Sequence, residues 1–205
     1  MSRYHSATLT NDGAIMALLI IGIVVFLGLH LLPTVPGLRG KLVEGLGENG
    51  YKALFALCSI AAFVLLVYGF AHAPAVQVWS PPDWTRWVAI VLMLPAFIFL
   101  VAAYVPGRIK AKLKHPFLVA IKTWALAHLI ANGDLASIVL FGSFLAYAVY
   151  DRITLKRRPA TRLIGWQAPE TPRNDVIAVV LGTVLYVVFL VWLHPLLIGT
   201  VPLTH

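Results

Sequence analysis

Three histidines carry most of the chemical possibilities of this chain. His30 closes an apolar segment in GLHLLP, His115 opens another in KHPFL, and His128 sits in WALAHLIANGD. An ionisable side chain at membrane depth is costly, so each marks a functional position by default. Neutral imidazole is a common ligand for haem iron, and one imidazole on each face of the macrocycle is enough to hold a haem between helices. The thirteen residues from His115 to His128 amount to about 20 Å of helix rise, so these two share a small metal ion only if the helix breaks. His72 and His194 lie near segment ends, and His5 and His205 near the termini. An interfacial or solvated imidazole there needs no special role.

Polar companions are few. Asn132 and Asp134 follow His128. A carboxylate commonly fixes the tautomer of a metal-bound imidazole, but Asn132-Gly133-Asp134 ahead of Leu135 also reads as a turn and helix N-cap, which is the favoured reading. The run Arg108-x-Lys110-x-Lys112-x-Lys114 can grip carboxylates or phosphates, or simply anchor the chain at a membrane surface. No Gly-rich phosphate loop, nucleophile elbow, HExxH or cysteine pair is present. The eight acids form no catalytic pair inside an apolar segment. Hydrolysis and nucleotide-driven chemistry lose most of their support, and the lone Cys58 reads as a packing residue.

The elements that must position these residues are membrane helices. The chain is 60% hydrophobic and 12% charged, with mean hydropathy +0.87, whereas soluble domains carry about 25% charged residues. Its apolar residues fall in long blocks, which in a bilayer must be helical and are too uniform for barrel strands. Six blocks predict an all-α, six-helix transmembrane bundle, with boundaries near 14–32, 51–73, 85–105, 114–130, 135–150 and 175–198. The fourth and fifth are short and joined by four residues, which predicts an antiparallel hairpin. Residues 1–153 read as a five-helix unit, 154–173 as a basic linker, and 174–205 as the sixth helix and tail. The 74–87 segment, with three prolines and Trp79, Trp84 and Trp87, suits a headgroup interface.

Charge sets an expected orientation. The loops at 33–50, 106–116 and 151–173, with adjoining helix ends, collect fourteen of the sixteen lysines and arginines, leaving Arg3 and Arg86 on the other side. That asymmetry predicts cytoplasmic basic loops and both termini outside. It also accounts for the net charge of +8 through topology and anionic lipid headgroups, without nucleic acid.

The strings GLHLLP, LGENGYKALFALCS, PPDW, LMLPAF, YVPGRIKAKLKHP, WALAHLIANGD and LFGSFLAYAVYDR occur together and in order. Over about residues 16–158 the chain resembles the NnrU family of bacterial membrane proteins. The resemblance implies a multi-pass inner-membrane protein linked to nitrite and nitric oxide reduction. The same superfamily includes the 15-cis-zeta-carotene isomerase of plants and cyanobacteria, a haem b enzyme whose axial histidines fall on the GLH and AH tracts. By that resemblance His30 and His128 are the axial ligands. Arg39, or Arg108 and Lys112, are then the cations that pair with haem propionates by charge-assisted bonds. Ala125 stands where the isomerase has a cysteine proposed to exchange with a histidine ligand. By simple depth His30 and His115 belong to the cytoplasmic ends of their segments and His128 to the outer end, so His115 is the substitute ligand. Two other functions remain in view. One is cis–trans isomerisation of a lipid-soluble, carotenoid-like polyene. The other is a cofactor-free role as assembly or regulatory partner of a nitrogen-oxide reductase.

Overall fold

A computed structural model describes residues 2–157 and 171–203. Its helices are α1 (Ser2–Leu31), α2 (Pro36–Ala71), α3 (Trp84–Tyr104), α4 (Arg108–Leu113), α5 (Pro116–Ala131), α6 (Leu135–Arg157), α7 (Pro172–Val188) and α8 (His194–Ile198). A 3₁₀ turn over Leu32–Thr34 precedes α2, and a π-helical turn over Phe189–Leu193 joins α7 to α8. Among the described residues there is no β-strand, only an isolated bridge between Gln77 and Asp134. The all-α membrane architecture is as the composition requires.

Among the described residues five helical stretches are long and apolar enough to cross a membrane: Asn11–Leu31, Gly37–Ala71, Trp84–Tyr104, Leu135–Leu155 and Pro172–Ile198. α5 is a shorter apolar helix of 16 residues, about 24 Å long. The six apolar segments are therefore all helical, but two boundaries differ from expectation. The 33–50 segment is mostly helix, running into α2 across a break at Gly47. α6 continues to Arg157 rather than ending near Tyr150, so of the two helices expected to be short only α5 is. Part of the expected 154–173 linker is thus the end of α6, and residues 158–170 lie outside the described residues. The outward side chains are apolar. Val24 is 64% exposed, Leu57 67% and Val91 69%, a surface that suits lipid rather than water.

The chain divides into two compact units. The first comprises residues 1–78 and 134–143. Its centre is the antiparallel contact of α1 with α2. A Cβ on Gly22 would meet the Leu66 backbone at 2.6 Å, and one on Gly69 would meet the Leu19 backbone at 2.5 Å. The reciprocal pairs Leu19–Gly69 and Gly22–Leu66 hold one register, a turn apart. Lipid supplies no hydrophobic drive between helices, so close backbone approach through small residues takes its place. Phe70 adds an edge contact with Phe141, with ring centres 6.1 Å apart.

The second unit comprises residues 79–133 and 144–205. Here α3 packs against α5 and α7. α3 and α7 run antiparallel along most of their length. A Cβ on Gly182 would meet the Ile98 backbone at 2.7 Å, and the Tyr186 hydroxyl donates to the Ile90 carbonyl at 3.0 Å. Phe97 lies 5.5 Å from Phe189. At the other end, Asn174 Nδ2 donates to the Pro106 carbonyl at 2.6 Å, and the Ile109 amide donates to Asp175 Oδ1 at 2.9 Å. Asp175 thereby caps α4 from a distant part of the chain.

Two outcomes test this packing. Gly22→Val and Gly69→Val should each lower the thermal midpoint in detergent, at about 1–3 kcal/mol for overpacking without relief. Gly28→Ala, at a position with open space, should leave it nearly unchanged. Asp175→Ala should cost about 1 kcal/mol through the lost cap, read in the same melt.

Candidate functional site

In the first unit His30 occupies the last turn of α1. Its Nδ1 lies 2.7 Å from the Phe26 carbonyl, four residues back. A carbonyl only accepts, so Nδ1 carries the proton and the lone pair falls on Nε2. The ring is half-buried, 4.4 Å from Phe26 and 5.5 Å from Phe55. Tyr51 follows 6.1 Å from Phe55, and the Arg39 guanidinium lies 5.4 Å over the Tyr51 ring. A chain of aromatic contacts therefore connects two sequence-predicted residues, His30 and Arg39. Arg39 also contacts Glu48 at 3.4 Å, and Glu48 pairs with Lys52 at 3.3 Å.

His128 repeats the same local design in the second unit, in the last turn of α5. Its Nδ1 lies 2.8 Å from the Trp124 carbonyl, which again assigns the proton to Nδ1 and the lone pair to Nε2. The Trp124 ring is 5.5 Å away and itself meets Phe144 edge-on at 5.4 Å. Ala125 and Ala127 beside it are fully buried. Asn132 donates from its amide side chain and its backbone to the His128 carbonyl, both at 2.9 Å. Asp134 Oδ1 accepts from the Ser137 amide at 2.8 Å. Both polar residues of the hairpin tip are caps, the reading the turn sequence favoured.

His115 lies at the opposite end of α5. Its carbonyl accepts from the Leu118 and Val119 amides, starting the helix ahead of Pro116. Burial lowers its pKa from the ordinary 6.5, the Arg152 cation and Lys114 lower it further, and Asp151 partly opposes them. The alternating cationic run divides by helical phase. Arg108 and Lys112, four apart on α4, are exposed. Lys110, between them, is only 5% exposed and donates from Nζ to the Ala103 carbonyl at 2.8 Å. Burial depresses its pKa as well.

His30 and His128 belong to different units, whereas His115, Arg108 and Lys112 share the second with His128. Among the described residues no group of three or more His, Cys, Asp or Glu side chains could hold a metal ion. Sequence reasoning missed the Asn174–Asp175 latch on Pro106 and Ile109. Its signal in the sequence is the polar run Arg173-Asn174-Asp175 at the start of an otherwise apolar helix.

The His115 environment generates a pH dependence. The unfolded chain takes up the proton near 6.5, before the folded one does, so stability should fall as pH drops from 6.5 through the lower folded midpoint. Arg152→Gln should move that midpoint back up, measured by NMR titration of histidine-labelled protein in micelles. An unmoved midpoint would assign the whole effect to burial.

No curated protein and no solved structure matches the chain. A family model described as NnrU protein matches residues 18–202. That span starts in α1 and extends beyond α8, so it takes in the last helix as well as the segments that carry the histidine motifs. The chain is a member of the NnrU family of membrane proteins.

Proposed function

We propose that this NnrU-family membrane protein binds haem b through the imidazoles of His30 and His128, and serves nitrite or nitric oxide metabolism in a bacterial inner membrane. The observation that supports this reading most directly is the state of the two rings. Each is half-buried in an apolar helix, and each gives its Nδ1 proton to its own helix at i−4, which leaves the lone pair on Nε2. Metal-ligating histidines almost always donate their other nitrogen in this way. His72 makes the same bond to Tyr68 at 2.9 Å, but it is exposed, so the bond alone selects no ligand. Position and the motif resemblance make the selection.

The donor set suits haem, which needs neutral imidazoles rather than a cluster of acids and thiols. When bound, haem supplies one-electron redox chemistry. The chain's own part is to fix two tautomers, surround the rings with Phe26, Phe55 and Trp124, and offer Arg39, Arg108 and Lys112 to propionate carboxylates by charge-assisted bonds. His115 is the substitute donor. Basic loops on the cytoplasmic side, with both termini periplasmic, complete the proposal. Polyene isomerisation is the weaker reading, because fully buried Ala125 offers no thiol where the isomerase resemblance implies one.

Protein purified in detergent should show a Soret band, as isolated or after addition of hemin. His30→Ala and His128→Ala should each reduce haem retention about tenfold or more, as loss of a direct ligand must exceed loss of its supporting bond. No band with added hemin would end the haem proposal. A band unchanged by both substitutions would end the ligand assignment, with His115→Ala as the next variant. Incubation with poly-cis carotene and analysis of the isomers tests the weaker reading, and copurification of a reductase without cofactor would favour the assembly role.

A further inference from the structure

α2 is too long for a single crossing. Its 36 residues make about 54 Å of helix, against about 30 Å of hydrocarbon. The helix is broken at Gly47, where φ is 70° and ψ is 162°, a region that is essentially glycine-only. The part after the break is about 36 Å long and can cross by itself with some tilt. Pro36–Leu46 is surplus to the crossing.

That surplus is amphipathic. At about 100° per residue, Leu38, Leu42 and Leu46 fall within an arc of about 80°; Arg39 lies about 20° beyond Leu46 and Val43 about 60° beyond it, Lys41 flanks the arc about 60° before Leu38, and Glu44 points away. Leu38 and Leu46 are 46% and 47% exposed. Val35, just ahead of the helix, is exposed as well. The break itself is clasped. Arg39, before it, reaches Glu48 and covers the Tyr51 ring, both after it, and Lys52 holds Glu48 from the next turn.

We propose that Pro36–Leu46 is an interfacial helix that lies along the bilayer surface, its leucine face in the acyl–headgroup boundary, turned out of the crossing helix at the Gly47 elbow. The occupant of the leucine face is lipid. The helix runs directly into a membrane crossing, so it begins at the membrane border, and the exposed Leu38 and Leu46, with half-buried Leu42 between them, meet acyl chains there before anything else. Lys41, at the flank of that face, reaches water or anionic headgroups, and Arg39, on the face itself, is turned to Glu48 and the Tyr51 ring.

The lone native cysteine makes the test direct. In a full-length Cys58→Ala background, single cysteines replace Leu38, Lys41, Leu42, Glu44 or Leu46, carry an environment-sensitive fluorophore, and enter nanodiscs of phosphatidylcholine and phosphatidylglycerol. Val43→Cys stands in if Leu42→Cys fails to fold. Probes at 38, 42 and 46 should be quenched by lipids bearing nitroxides just below the headgroup. Those at 41 and 44 should be quenched about threefold more strongly by aqueous iodide than the leucine-site probes. Equal access of iodide to all five would overturn the proposal, since the helix would stand off the membrane. Quenching of the leucine sites only by midplane nitroxides would also overturn it, since the segment would continue the crossing. Protection from both quenchers would overturn it in favour of a protein cover.

Discussion

Scarcity of hydrogen-bond partners governs this protein. A polar group in the hydrocarbon has no water to turn to, so it must bond within the chain or remain unsatisfied at a cost of several kcal/mol. The commonest solution is also the nearest: a side chain returns its proton to the carbonyl one turn back. His30 does this with Phe26, His128 with Trp124, and Thr123 with Val119 at 2.9 Å. Thr85 reaches the Pro82 carbonyl at 2.7 Å. For a threonine this is mere bookkeeping. For a histidine it also decides which nitrogen keeps its lone pair.

Helix ends solve the problem over longer distances. The Ala103 carbonyl near the end of α3 is met by Lys110, the Pro106 carbonyl in the turn after it by Asn174, and the Ile109 amide at the start of α4 by Asp175. Gly107 leaves the room this needs, since a side chain there would run into the Asp175 carboxylate. The YVPGR turn and the start of α7 are thus one structure built from segments far apart in sequence, and the match of the family over residues 18–202 includes both halves of it.

Much of the fold was legible in the sequence because apolar block length is a direct consequence of bilayer thickness. All six blocks are helical, and the turn chemistry of Asn132-Gly133-Asp134 correctly predicted caps. The 33–50 segment escaped because glycines at 37, 40, 45, 47 and 50 lower helix propensity, and an amphipathic helix this short gives little periodic signal. The continuation of α6 past Tyr150 was hidden by Asp151 and Arg152, charged residues that resemble a loop but lie within the helix. At the site, residue type picked out the histidines. The tautomer of each ring, the separation of Lys110 from Arg108 and Lys112, and the Asn174–Asp175 latch all depend on helical phase or tertiary contact, which spacing alone does not reveal.

The π-helical turn over Phe189–Leu193 interrupts the last membrane helix. Such a turn closes its bonds at i+5 and holds one residue more than an α-turn, so side chains beyond it slip out of phase with those before it. The ring of Phe189 can then meet His194, five positions on, edge to face at 5.9 Å, a pair that an unbroken α-helix would point in different directions. His194 in turn binds the Thr200 carbonyl at 2.9 Å. The shaft of the helix is keyed to α3 by Gly182 and Tyr186, while its tip answers to a different set of neighbours. One inserted residue acts as a swivel that lets the two ends of a single rod be aimed independently.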